Sequence, residues 1–136
     1  MATTTVQLKV DSAAGSLLTS VLAIDDTMTL YDKGTTTGMT KTSGLARQTI
    51  AAATETKILE AGDYTTDKNH RLYIKNTDAS GTETVEVRIG TIGAPSLHIG
   101  TLGFDEFAII PWSANNDINI ICTSASTVVE WMLIFE

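Results

Sequence analysis

The sequence predicts an all-β protein, a single domain of antiparallel strands, on three observations. From Lys57 onward, short runs rich in Val, Ile, Leu and aromatic residues are separated by Gly, Asn, Asp and Ser, which is typical of an antiparallel β domain. Apolar and polar residues alternate within several runs, as in strands with one solvated face. The chain has 136 residues and is 43% hydrophobic, enough for one core but short for two.

The clearest strand signals lie at residues 70–90. Leu72 and Ile74 alternate with more polar neighbours, and so do Val85 and Val87 after the turn-rich stretch NTDASG. This pattern predicts a hairpin whose two strands each have one apolar and one polar face.

The chain ends on a nearly unbroken apolar run, residues 128–135. A membrane helix needs about 20 consecutive apolar residues, and this run is far shorter and contains Glu130. It is therefore predicted to be the last strand, after strands in FAIIP and INIICTS. Both of its faces are largely apolar, which predicts a central position in the sandwich or cover by another subunit. The predicted homo-oligomer contact is formed by Val129, Trp131, Leu133 and Phe135.

The first forty residues are less regular. TTTVQLKV, residues 3–10, alternates well enough for a strand, whereas residues 16–32 combine helical and strand spacing. Frequent Thr and Val, together with the β pattern of the rest, favour strand or extended structure there. Residues 32–44 are polar, rich in Gly and Thr, and too long for a tight turn. They are either a flexible connection or a partner-contacting loop.

Charge and cysteine content exclude several classes of function. The net charge is −7, and the nine Lys and Arg residues are scattered, so nucleic acid is not expected as a partner. The single cysteine, Cys122, excludes an internal disulfide and is predicted to be buried. No basic segment followed by an apolar run begins the sequence, so we expect synthesis in a reducing cytoplasm.

No residue pattern predicts catalysis or a bound cofactor. His70 and His98 have no partner at a metal-ligand spacing, and no GxSxG motif occurs. The acidic pairs at residues 25–26 and 105–106 consist of neighbours, which point to opposite faces of a strand and do not converge. We therefore expect no catalytic residues, no cofactor and no metal site.

The two tryptophans are the remaining candidates for a binding role. Trp131 lies inside the terminal apolar run, which favours core or subunit-interface packing. Trp112 follows Pro111 at a strand end, where either a half-buried wedge or an exposed contact residue fits.

Several segments carry a resemblance to a known class of protein. They are MATTTVQLKV with VLAIDDTMTLYDKGTTTG and GLAR after it, HRLYIKNTDASGTETVEVRIG, IGTLGFDEFAIIPW and NDINIICTSASTVVEWMLIFE. Together they resemble small virion structural proteins of tailed bacteriophages, of the capsid cement or decoration type found in marine phages. The resemblance covers most of the chain and consists of strand and turn patterns.

The resemblance implies a non-enzymatic cement protein at the capsid surface of a virion. Its fold would be a β-sandwich, jelly-roll-like, with residues 1–16 as an extended N-terminal arm or first strand and residues 17–136 as the sandwich. It would bind the major capsid protein as a homotrimer, without direct contact to nucleic acid or membrane. The candidate partner contacts are Thr3, Thr4, Thr5 and Trp112. The alternative is a tail or fibre component that binds a host-surface glycan.

Overall fold

The protein is described by a computed structural model that covers residues 4–11, 23–94 and 96–136. This part of the chain contains eleven β-strands and one short 3-10 turn, Ala61–Asp63, so the all-β prediction is confirmed. The chain divides into two compact units, Met1–Thr40 and Lys41–Glu136. Thr3 and the predicted boundary between residues 16 and 17 lie outside the described residues.

The first unit is built on an antiparallel strand pair. β1 (Thr4–Asp11) pairs along its whole length with β2 (Ala23–Leu30). The predicted first strand is confirmed, and the strand prediction for residues 16–32 is confirmed where they are described. The side-chain hydroxyl of Thr4 donates a hydrogen bond of 2.7 Å to the carbonyl of Met39.

The chain after β2 forms a closed turn. Tyr31 and Gly38 form an isolated antiparallel bridge, and the Asp32 N–H donates to the Thr37 carbonyl at 2.9 Å. Gly34, at the tip, has φ +74°, a conformation that glycine adopts without steric cost. Residues 32–38, the first part of the loop predicted at residues 32–44, therefore form a structured turn.

The second unit contains two antiparallel sheets, with the strand order β3/β4–β11–β6–β9 in the first and β5–β10–β7–β8 in the second. The first sheet consists of β3 (Lys41–Thr42), β4 (Ala46–Ile50), β6 (His70–Asn76), β9 (Phe107–Trp112) and β11 (Thr127–Phe135). The second consists of β5 (Thr56–Leu59), β7 (Val85–Ile89), β8 (Leu97–Leu102) and β10 (Ile118–Cys122).

The two sheets bury one hydrophobic core between them, which makes the second unit a β-sandwich. Alternate residues of the strands face inward, as the burial pattern of β6 shows. The core includes the predicted residues Leu72, Ile74, Val85, Val87 and Cys122.

β11 lies at the centre of the first sheet. It pairs with β6 on one side and with both β3 and β4 on the other. The predicted central position of β11 is therefore confirmed. The oligomer contact predicted for Val129, Trp131, Leu133 and Phe135, on the second face of this strand, is contradicted. That face points into the protein's own core, because Val129 and Leu133 are fully buried there and Trp131 and Phe135 pack against the same cluster.

The predicted hairpin at residues 70–90 is wrong, although both of its strands exist. β6 lies in the first sheet and β7 in the second, so residues 77–84 cross from one sheet to the other. The buried Asn76 supports the crossing, because its side-chain amide donates to the carbonyls of Glu83 and Gly103, each at 2.9 Å. The alternating pattern predicted which residues of β6 and β7 face the core. It could not predict which strands pair, because the strands of both sheets face the same core.

Candidate protein-interaction surfaces

The outward side of the first sheet carries a row of apolar side chains, which we call the outer sheet face. Tyr73 lies between Met132 and Ile109 in the strand register. Phe107 is 57% exposed, and its ring centroid is 6.1 Å from that of Tyr73. An outward sheet surface normally carries polar residues, so contiguous apolar side chains here indicate a contact surface.

Three cations border this face, and two of them have carboxylate partners. Arg47 Nε lies 2.9 Å from Glu130 Oε1, and Lys75 Nζ lies 2.6 Å from Asp105 Oδ1. The hydrogen bond to Asp105 raises the pKa of Lys75. Arg71 differs from both, since within the described chain its side chain donates only to a backbone carbonyl, that of His70 at 2.9 Å.

The first unit has an apolar face of its own, which we call the apolar hairpin face. Strand alternation places Val6, Leu8 and Val10 of β1 on the same side as Ile24 and Met28 of β2. Leu8 is 50% exposed, and the other large side chains of the face are also open to solvent, apart from the half-buried Val6. A two-stranded ribbon is marginally stable unless its apolar side is covered.

One charged side chain interrupts the apolar hairpin face. Asp26 is exposed, lies opposite Leu8 in the register, and has no ion pair or side-chain hydrogen bond within the described residues. Its neighbour Asp25 points to the other side, where its carboxylate accepts a hydrogen bond of 2.6 Å from the Gln7 side chain. The expectation that this acidic pair does not converge is confirmed for the two described side chains.

The third exposed apolar surface is the β8 edge, formed by Ile92, Leu97 and Ile99. β8 pairs with β7 on one side, and its other side carries no strand among the described residues. Leu97 is 70% exposed, and the register between β7 and β8 shifts beside Ile99, which is the geometry of a bulge. An edge with open backbone groups and apolar side chains is a site where another strand can pair.

A hydrogen-bonded turn borders the sandwich next to Phe104. The backbone N–H of Glu83 and the Ser80 side chain and N–H donate to Asp78, which lowers the pKa of its carboxyl group to about 2. Gly81 has φ +80°, and a Cβ there would lie 3.8 Å from the Phe104 ring. The turn is fixed by side-chain to backbone hydrogen bonds of the kind that Asp forms in loops.

The outward side of the second sheet is polar, as expected for a solvated surface. Arg88 lies 2.6 Å from Glu86 and 3.7 Å from Glu55, and Lys57 lies 2.8 Å from Asp117. The hydrogen bond from Lys57 lowers the pKa of Asp117.

The two histidines lie in different environments. His70 is fully buried within an aromatic cluster, with its ring centroid 5.6 Å from that of Trp112, and its Nε2 lies 3.0 Å from the Thr65 carbonyl. His98 is exposed on β8 beside Thr101. Within residues 4–11, 23–94 and 96–136, no three His, Cys, Asp or Glu side chains come together as metal ligands.

Trp112 is 4% exposed, so the structure contradicts the exposed-contact alternative for this residue. Its indole N–H donates to the Asn116 carbonyl at 2.8 Å, and its ring packs edge-on against Tyr64 at 5.4 Å. The sequence pattern predicts its position at a strand end correctly, but the pattern does not show that the side chain points from β9 into the core.

A shallow cavity of about 260 Å³ lies beside Trp112. Lys68, Asn69, Arg71 and Ser113 supply its polar lining. Of the other predicted partner contacts, Thr4 and Thr5 lie at the start of β1, paired with Leu30 and Thr29. Thr4 is half-buried and Thr5 is exposed, while Thr3 is not described.

Among the described residues, the fold and its surfaces define a β-sandwich protein with an additional strand pair and three exposed apolar surfaces. In the described chain, no helix is long and apolar enough to cross a membrane.

No family model matches the chain, and no curated protein matches it. Among solved structures, a protein of Bacillus endospore appendages, a family of disulfide-linked pili, is similar with a TM-score of 0.45 and 14% identity. That match covers 74% of this chain and 94% of the other. The Yersinia pseudotuberculosis-derived mitogen is similar with a TM-score of 0.42 and 14% identity, covering 71% of this chain and 86% of the other. Similarity at this level does not define a function.

Proposed function

We propose that the protein is a non-enzymatic capsid cement protein of a tailed phage, which binds across major capsid protein subunits at the virion surface. The observation that carries the proposal is the β8 edge, where Leu97 is the most exposed large hydrophobic side chain among the described residues, at 70%. Such an edge suits an extended segment of a capsid subunit, because backbone pairing supplies affinity and alternate side chains supply specificity.

Binding of this kind stabilises a shell by mass action. A protein that binds the assembled shell but not the dissociated subunits shifts the equilibrium toward the shell. Many copies on one particle make modest contacts collectively large. The net charge of −7 limits non-specific attraction to packaged DNA.

We also infer that the sandwich is of the jelly-roll type. If β3 and β4 are counted together as the first of eight strands, the first strand pairs with the last, β11. The remaining pairs are then β5 with β10, β6 with β9 and β7 with β8. This is the order produced when one long antiparallel hairpin rolls into two facing sheets, as in eight-stranded jelly rolls.

Binding to heads that lack the protein tests the function. Wild-type protein is expected to co-sediment with the heads of the phage that encodes it and to raise their resistance to heat. Leu97→Glu is expected to weaken binding about tenfold or more, since it places a charge in an apolar contact. The matched control is Leu45→Glu, because Leu45 is also exposed, at 58%, but lies in the loop between β3 and β4.

Two outcomes contradict the proposal. Cryo-electron microscopy of the particle that shows this chain only at the tail excludes a cement role. Binding to heads that is unchanged by Leu97→Glu excludes the β8 edge as the contact.

The alternative is a tail or fibre protein that binds a glycan, and the cavity beside Trp112 is its best support. Pockets that enclose small ligands usually have about 300–1,000 Å³, and this cavity has about 260 Å³ and is shallow. The Trp112 ring, which could have stacked on a sugar, is buried. Both observations argue against a glycan site at this cavity, and a glycan array that detects specific binding would favour the alternative.

A further inference from the structure

Two of the exposed apolar surfaces carry complementary charges. The apolar hairpin face contains one carboxylate, Asp26, and the outer sheet face borders on one guanidinium, Arg71, that lacks a carboxylate partner in the described chain. The other cations of that border, Arg47 and Lys75, are already paired. An isolated charge within an apolar surface is costly to bury unless the partner surface supplies the opposite charge.

We propose that the apolar hairpin face of one copy docks on the outer sheet face of a second copy, with Asp26 of the first paired to Arg71 of the second. Leu8, Ile24 and Met28 would then cover Tyr73, Ile109 and Met132. This inference is independent of the proposed function, because it concerns the isolated protein in solution.

Packing of like faces fits the observations less well. Two hairpin faces packed together would bring two Asp26 carboxylates into one apolar contact, and two outer sheet faces would do the same with two Arg71 guanidiniums. Like charges in such a contact repel each other and suppress that pairing. Docking of unlike faces instead pairs the charges and supplies the cover that a two-stranded ribbon needs.

The proposed contact is head-to-tail, since each copy offers its hairpin to one neighbour and its sheet to another. Contacts of this type form closed rings when the rotation between neighbours allows closure. The contact is thus compatible with the predicted homotrimer, and it replaces Val129, Trp131, Leu133 and Phe135 as the oligomer contact.

Charge reversal tests the proposal, with the mass of the full-length protein measured by sedimentation velocity over a wide range of concentration. Wild type is expected to associate as concentration rises. Asp26→Arg and Arg71→Asp are each expected to weaken association about tenfold or more, and the double variant is expected to recover much of the loss. Asp25→Arg is the matched control, because Asp25 lies on the opposite face of the hairpin and should leave association unchanged.

Three outcomes overturn the proposal. They are a wild type that stays monomeric at all concentrations, an oligomer that neither reversal weakens, and a double variant that associates no better than the single variants. Circular dichroism shows whether each variant is folded. If a reversal variant does not fold, Asp26→Asn and Arg71→Gln replace it, and association that neither of them weakens overturns the proposal equally.

Discussion

Leu133 is fully buried in the hydrophobic core and lies opposite Leu72 of β6 in the strand register. The terminal apolar run predicts its burial, and the core that covers it belongs to the same chain. Burial alone does not say whether the covering surface belongs to the same chain or to another. That distinction depends on which strands lie opposite, which periodicity does not encode.

Truncation of the Leu133 side chain tests how much its burial in the core contributes to stability. Leu133→Ala is expected to lower the free energy of unfolding by about 2–5 kcal/mol, because it removes buried methyl groups and leaves a cavity. Leu45→Ala is the control, since Leu45 is largely exposed and should change stability by about 0.5 kcal/mol or less. Urea denaturation of the three proteins makes the comparison. A loss of similar size in both variants would contradict the assigned core.

Asp78 is a residue whose ionisation stabilises the fold. Its pKa is about 2 in the folded protein, below the ordinary value of 3.8, because the turn donates hydrogen bonds to the carboxylate. A group with a depressed folded pKa contributes stability that is complete above its unfolded pKa and lost as pH falls through the folded one. The contribution of Asp78 is therefore expected to disappear between about pH 4 and pH 2.

Comparison with Asp78→Ala isolates this contribution. Wild type is expected to be more stable than the variant at about pH 5, and the difference is expected to shrink toward pH 2, as measured by thermal unfolding. Glu83 and Asp117 also have lowered pKa values, so both proteins will lose stability in acid. A stability difference that does not change with pH would contradict the role assigned to the carboxylate.

At the scale of elements, β11 holds the first sheet together. It is the longest strand of the described chain, with nine residues, and it pairs with three others. Edge strands such as β9, which contains Pro111, have a neighbour on only one side, where a proline costs no hydrogen bond if its nitrogen faces outward.

Truncation after Val129 is expected to abolish folding. It removes most of the pairing partner of β6 and all of that of β3, together with Leu133. The truncated protein is expected to show no cooperative thermal transition and to lie largely in the insoluble fraction. A stable, soluble truncated protein would show that β11 is dispensable.

At the scale of the whole molecule, the hydrophobic core belongs to one unit. Every residue of the core cluster lies within Lys41–Glu136. A chain of residues 41–136 is therefore expected to fold by itself and unfold cooperatively, with a midpoint in urea close to that of the full chain. An unfolded or molten product would contradict the division into two units.

The same shortened chain also bears on assembly. It lacks the apolar hairpin face, so it is expected to be monomeric at concentrations where the full chain associates. Sedimentation velocity of the two proteins makes this comparison. Association of residues 41–136 alone would place the contact elsewhere.

The sequence by itself determined the all-β class and the inward and outward residues of β6 and β7. These properties depend on neighbours along the chain, because a strand alternates its faces with a period of two. The tertiary structure decided that β6 and β7 belong to different sheets, that Trp112 and His70 are buried, and that the second face of β11 is covered from within. It also placed Asp26 and Arg71 on separate apolar surfaces. Strand pairing joins residues far apart in sequence, and alternation specifies only that an apolar face is covered, not which surface covers it.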